Sequence, residues 1–296
     1  MEDTVTMTTL ERATTVAHLP AGPMEYRLEP RGQAAIIVFH GGHMRAGLAL
    51  GEEVFSAAGY TVLVPSRPGY GRTPLQTGTS PGGFADATSE LCRHLGIDQV
   101  AAVVGISAGG RTAVTMAARH PELAQRLILE SALGFLPWPG RRLRLGAPLA
   151  FSALIEKATW AVVRALLRRS PAAGLRTMLG GLSTESIDKV LAALSDEDRA
   201  TLIALFSTMR SGRGFLNDLR STPDVASQVT QPTLIIASRK DGAVPFVHAQ
   251  SLAAGIPHAE QILSDSASHF IWFAHDYPLI ANQIRDFLSA DPSQRG

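Results

Sequence analysis

The chain has 296 residues, enough for one large domain or two ordinary ones. Hydrophobic residues make up 45% and charged residues 18%, which excludes the composition of a disordered chain. A formal net charge of +1 excludes a global field for nucleic acid, and the single Cys92 excludes an intrachain disulfide and a multi-cysteine zinc site. No segment supplies the roughly 20 continuous apolar residues of a membrane span. The N-terminal residues Glu2, Asp3 and Glu11 do not form the basic-then-apolar run of a secretory signal. These features predict a cytoplasmic globular protein without stable membrane insertion.

In chain order, Thr14 to Pro20 and Met24 to Glu29 read as an antiparallel entry hairpin. Short apolar runs follow at Ala34 to Phe39, Thr61 to Val64, Val100 to Gly105, Arg126 to Leu129, Thr233 to Ala237 and Glu260 to Leu263. Runs such as AAIIVF lack polar alternation, as strands buried on both faces do. Between them Phe84 to Leu95, Ala108 to Arg119 and Pro278 to Leu288 read as helices. Strands alternating with helices predict an α/β fold with a mostly parallel sheet covered on both faces.

The alternation stops after Ser131 and resumes near Thr233. Residues 134–222 read as an inserted helical subdomain, which divides the chain into core residues 1–133, an insertion, and core residues 223–296. From Gly134 to Arg176 the insertion carries eight Arg or Lys, Arg141, Arg142 and Arg144 among them, against one acid, Glu156. Ser152 to Ser170 reads as an amphipathic helix, with Lys157, Arg164 and Arg168 on its polar arc and Leu154, Trp160, Val163 and Leu167 on the apolar side. A solvated outer face is the preferred reading of those charges. Asp291 to Gly296 read as a frayed tail.

Gly105-Ile106-Ser107-Ala108-Gly109 lies between a predicted strand and a predicted helix. A serine on so tight a turn projects from the carboxyl edge of the sheet, and small residues two positions to either side let strand and helix approach. A serine hydroxyl needs a base, and the base needs a carboxylate. Asp241 follows the strand Thr233 to Ala237, and His269 follows the last strand, both at the edge that carries Ser107. Glu130 is the alternative acid. The competing histidines are His258, at the opposite end of the sheet, and His275, expected within the last helix.

An oxyanion needs two convergent N–H groups. Ala108 supplies one, and the loop His40-Gly41-Gly42-His43 after the first central strand supplies the other from Gly42. No further ligand stands near His40 and His43 at metal spacing, so no metal and no organic cofactor is expected. His43, Met44, Ile106, Phe135, Trp138, Phe246, Phe270 and Trp272 lie near loop ends on this edge and are the candidate pocket residues.

With the serine turn, the HGG loop, Pro65 to Thr73 (PSRPGYGRT) and His269-Phe270, the chain resembles capped enzymes of the α/β-hydrolase fold family. The resemblance covers nearly the whole length. It implies a serine hydrolase whose triad is Ser107, Asp241 and His269, with the helical insertion as cap and Arg67 bracing loops beside the site. Serine at position 107 departs from the aspartate of epoxide hydrolases and haloalkane dehalogenases. Ile106 stands where carbon–carbon bond hydrolases usually have asparagine, and His43-Met44 where proline iminopeptidases usually have Pro-Gly. Ser268 replaces the glycine common before the histidine.

The expected activity is cleavage of a small-molecule carboxylic ester. Lactonase, thioesterase, carbon–carbon hydrolase and biosynthetic acyl transferase remain alternatives, as does a ligand-binding sensor on the same scaffold. A homodimer stays open.

Overall fold

The structure is a computed structural model that describes residues 11–32, 34–140, 146–147, 150–152 and 154–290. Arg141, Arg142, Arg144 and the expected C-terminal tail lie outside the described residues. Eight strands form one sheet in the order β1 (Thr15–Leu19), β2 (Gly22–Glu29), β4 (Thr61–Pro65), β3 (Ala35–Phe39), β5 (Val100–Ile106), β6 (Leu127–Glu130), β7 (Thr233–Ser238) and β8 (Ala259–Ser264). The β1–β2 and β2–β4 pairs are antiparallel, and the other pairs are parallel.

The apolar runs alternate faces within the sheet although they do not alternate polarity. Ile37 and Phe39 join one core with Phe84, Leu91, Val114 and Leu252, beneath α2 (Pro81–His94), α3 (Gly110–Arg119) and α9 (Val247–Gly255). Ile36 and Val38 join the opposite core with Phe55, Ile284 and Phe287, beneath α1 (Glu53–Ala57) and α10 (Tyr277–Ser289). Both faces exclude water, so each buried side chain contributes about 1.5–3 kcal/mol of transfer free energy.

Between β6 and β7 the described residues form α4 (Glu156–Arg169), α5 (Pro171–Leu179), α6 (Ile187–Ala192), α7 (Asp196–Thr208) and α8 (Gly214–Asp218), and no strand. Trp160, Leu167, Leu179, Leu202 and Phe206 of these helices make a third core with Met44, Leu50 and Phe270 from loops of the sheet. Helices therefore cover the carboxyl edge. Leu154 departs from its expected place on the apolar side: it precedes α4 and is 92% exposed.

Chain order fixes where a crevice forms. From β3 the chain steps outward to β4, then crosses to β5 on the other side of β3. Loops leaving the carboxyl ends of β3 and β5 diverge at this switch point, where open parallel sheets bind ligands. The loop starting at His40 and the turn at Ser107 are those two loops.

Candidate active site

Ser107 follows β5 with φ +50°, a left-handed conformation that costs an L-residue of order 1–3 kcal/mol. The neighbouring glycines make this turn fit. A Cβ on Gly105 would come 2.6 Å from Ala113 Cβ, and one on Gly109 would come 2.0 Å from the Phe39 carbonyl oxygen. Strand, turn and helix thus approach at a distance that only glycine permits. Gly41 lies as close: a Cβ there would meet Ser107 Cβ at 2.9 Å.

The loop after β3 is held from behind. Arg67 Nε donates to the His40 carbonyl at 2.7 Å, and Nη2 donates to the Gly41 carbonyl at 3.0 Å. A trans peptide points its N–H away from its C=O, so fixing the Gly41 carbonyl aims the Gly42 N–H the opposite way. Arg67 is itself gripped by Asp218 of α8, with Nη1 on Oδ1 at 2.5 Å and Nη2 on Oδ2 at 2.9 Å. Tyr70 Oη donates to the same carboxylate at 2.6 Å. His40 contacts Glu52 through Nε2, and Arg27 Nη2 donates to Glu52 at 2.7 Å. Burial pushes the Glu52 carboxyl up, but its pairing with His40 and Arg27 outweighs burial and holds it below the usual range.

Asp241, in the loop after β7, and His269, in the loop after β8, meet directly. His269 Nδ1 donates to Asp241 Oδ2 at 2.7 Å, while Oδ1 accepts the N–H groups of Ala243 and Val244 at 2.8 Å each. With Nδ1 donating, Nε2 is the basic nitrogen. Ser131 Oγ donates to the His269 carbonyl at 2.9 Å, and Leu182, from the segment after α5, accepts the His269 N–H at 2.8 Å. Ser107 and His269 line the same cavity, yet among the described residues no hydrogen bond joins Ser107 Oγ to His269. Such bonds often tighten only with substrate bound.

This cavity has a volume of about 640 Å³. Of the sequence candidates, Gly42, His43, Met44, Ile106, Ala108, Trp138, Phe270 and Trp272 line it. Phe135 and Phe246 do not. Phe135 packs into the core under α9, and Phe246 opens α9 beneath the Arg239 guanidinium, 4.7 Å from its ring centroid. In their place the segment between β6 and β7 supplies Met178, Leu182, Phe206, Met209 and Phe215. No charged side chain lines the cavity among the described residues.

Two other candidates lie elsewhere. Glu130 is fully buried and accepts from Trp272 Nε1 at 3.0 Å, not from His269, and burial pushes its carboxyl up to about 8. His275 is exposed in the turn ahead of α10 and not within it, because Pro278 occupies the first turn of that helix. Cys92 is buried in α2 and burial pushes its thiol up to about 12, as for a small inert core residue. Glu52, Asp218 and Leu182 were not singled out from sequence. The PSRPGYGRT run containing Arg67 and Tyr70 was the signal nearest to the Asp218 pair.

A family model described as alpha/beta hydrolase fold matches residues 34–150. The uncharacterized hydrolase YcgS of Bacillus subtilis (strain 168) is 32% identical over 275 residues, covering 91% of this chain and 96% of that protein. A 2-hydroxy-6-oxononadienedioate/2-hydroxy-6-oxononatrienedioate hydrolase of Pseudomonas sp is 25% identical over 260 residues, covering 82% and 84%. Other similar proteins are named as esterases. Among solved structures, an alpha/beta hydrolase fold protein from Nakamurella multipartita superposes with a TM-score of 0.74 at 22% identity, covering 93% of this chain and 99% of that one.

Proposed function

The chain belongs to the α/β-hydrolase fold family, and we propose that within it the protein is a serine hydrolase cleaving a carboxylic ester through an acyl-enzyme on Ser107. The observation that carries this reading is the His269–Asp241 hydrogen bond, in loops leading to a cavity that Ser107 and His269 share.

Ser107 Oγ attacks the ester carbonyl carbon while His269 Nε2 takes the hydroxyl proton. The carbonyl oxygen becomes an oxyanion that accepts the N–H groups of Gly42 and Ala108. Collapse breaks the bond to the alcohol oxygen, and the proton on Nε2 passes to that leaving group. Water then attacks the acyl carbon, again giving its proton to Nε2, and the acid departs as Ser107 regains its hydrogen. Asp241 holds the imidazole and stabilises its charged form. The helical segment 134–222 acts as a cap that excludes water from these steps.

An ester is favoured over the dienedioates in the Pseudomonas relative's name. Those substrates carry two carboxylates, and burying a carboxylate without a partner is costly. The described cavity wall is uncharged and mostly apolar, and Ile106 adds a branched hydrocarbon beside Ser107. An uncharged ester suits it.

Ser107→Ala is expected to lower kcat on p-nitrophenyl esters by about 10⁴ to 10⁶, with an unchanged thermal transition. A folded Ser107→Ala protein that keeps most of the esterase activity contradicts the assignment.

A further inference from the structure

His43, next to Gly42, is built into the cavity wall with unusual care. Its backbone is left-handed at φ +65°, and its carbonyl accepts the Arg210 N–H at 3.1 Å. The ring stacks on Phe215 at 4.3 Å between centroids and meets Trp160 edge-on at 5.3 Å. Nδ1 lies 2.7 Å from Ser211 Oγ, and that oxygen also accepts the Trp160 indole N–H at 2.8 Å.

These contacts decide the tautomer. Indole N–H can only donate, so Trp160 uses a lone pair of Ser211 Oγ. Ser211 is fully buried, and its hydroxyl has no other acceptor than His43 Nδ1 among the described residues. Were Nδ1 protonated, the buried serine proton would be stranded without an acceptor, which is costly. Serine therefore donates to Nδ1, and the imidazole proton sits on Nε2. Burial holds the ring neutral, pushing its pKa down to about 4 against a smaller upward pull from Glu156. Nε2 has no partner and is not sealed off among the described residues, while His43 lines the cavity. The wall thus presents one fixed, uncharged N–H beside the Gly42 loop.

We infer that His43 Nε2–H is a binding subsite for an uncharged oxygen of the substrate, an ether, carbonyl or hydroxyl, so that the enzyme prefers esters with a second oxygen-bearing group. Trp160 and Ser211 are positioning residues that act through His43. The inference rests on the cavity being the substrate site proposed above. Its chemistry follows from the donor: a neutral N–H pairs with a neutral acceptor without leaving a buried charge uncompensated.

The test is kinetic and spectroscopic. Uncharged p-nitrophenyl alkanoates are compared with analogues in which one chain methylene at a time is replaced by oxygen, each rate normalised to hydroxide hydrolysis. At one position the oxygen should raise kcat/KM by about 10- to 100-fold. That ratio should collapse in His43→Phe and shrink in Ser211→Ala, the latter keeping the fold testable if the former unfolds. Nitrogen-15 NMR of the wild type at pH 7 should show His43 neutral with its proton on Nε2. Equal selectivity in wild type and His43→Phe, no oxygen preference at any position, or a proton on Nδ1 overturns the inference. Loss of all ester hydrolysis from the wild type, with the His43 tautomer as described, instead counts against the esterase reading.

Discussion

The backbone N–H of His269 donates to the carbonyl oxygen of Leu182 at 2.8 Å, tying the loop after the last strand to the helical segment inserted between β6 and β7. The same carbonyl accepts the Gly242 N–H at 3.2 Å, so one residue of the insertion holds the loops of both His269 and Asp241. Ser183 adds a bond from Oγ to the Ala267 carbonyl at 2.5 Å, and Thr184 N–H donates to the Lys240 carbonyl at 2.9 Å. At this edge the helical segment works as a clamp on the loops of His269 and Asp241.

Gly242→Ala tests the clamp. A Cβ at Gly242 would stand 2.7 Å from backbone atoms of Ser183, so the segment must retreat. A displacement of about 1 Å of catalytic groups can cost about 10²-fold, and a fall in kcat of that order is expected. Ser183→Ala removes two hydrogen bonds, from Oγ to the Ala267 carbonyl and from the Glu185 N–H to Oγ, and should cost about 1–2 kcal/mol of stability with a smaller kinetic effect. Ester kinetics paired with denaturant unfolding measure both.

Asp241→Asn should lower kcat by about 10⁴, because the amide favours the wrong imidazole tautomer. Glu130→Gln should change kcat by less than about threefold, since Glu130 faces Trp272 and not His269. Steady-state kinetics at pH 7.5 compare the two. A large loss confined to Glu130→Gln would move the acid to β6.

Glu130 also predicts a pH dependence of stability. Its carboxyl is raised from the ordinary 4.5 to about 8 by burial. Between those values the unfolded chain has released the proton and the folded chain still holds it. Stability from this group is full below about pH 4.5 and is lost as pH rises towards 8, by at most about 1.4 kcal/mol per unit. Glu130→Gln removes that slope. Its thermal midpoint should gain on the wild type as pH rises from 5 to 8, as calorimetry would show.

The Arg67–Asp218 pair joins the core to α8 inside the protein. Asp218→Ala leaves a buried guanidinium without its carboxylate and should cost about 3–5 kcal/mol. It should also lower kcat, because Arg67 then loses the anchor from which it holds the His40 and Gly41 carbonyls. The double variant Arg67→Met with Asp218→Leu should recover part of the stability and little of the activity. Chemical denaturation and ester kinetics separate those effects.

The parallel strands were legible because each centres on a short apolar run, and the observed ends differ from expectation by at most one residue. Ser107, Asp241 and His269 could be singled out because each follows such a strand at the same edge. The Arg67–Asp218 contact joins residues 151 positions apart, and nothing local to Asp218 marks it as a partner. Phe206 lines the cavity from α7, whose orientation depends on packing against Met44 and Phe270, and Phe215 lines it from α8, which packs with Tyr70, Leu133 and Trp138. Leu154 reads as part of the apolar stripe only if the helix begins before Glu156. Phe135 and Phe246 lie near the correct edge, but their side chains turn towards the core beneath α9.

The central claim is that Ser107 is the nucleophile, and labelling with a fluorophosphonate followed by peptide mass analysis tests it most directly. One phosphonyl group per chain is expected, on the peptide containing Ser107, with labelling abolished in Ser107→Ala and in protein pre-incubated with substrate. Folded protein that takes up no label, or takes it up on another residue while Ser107→Ala still hydrolyses esters, would contradict the account.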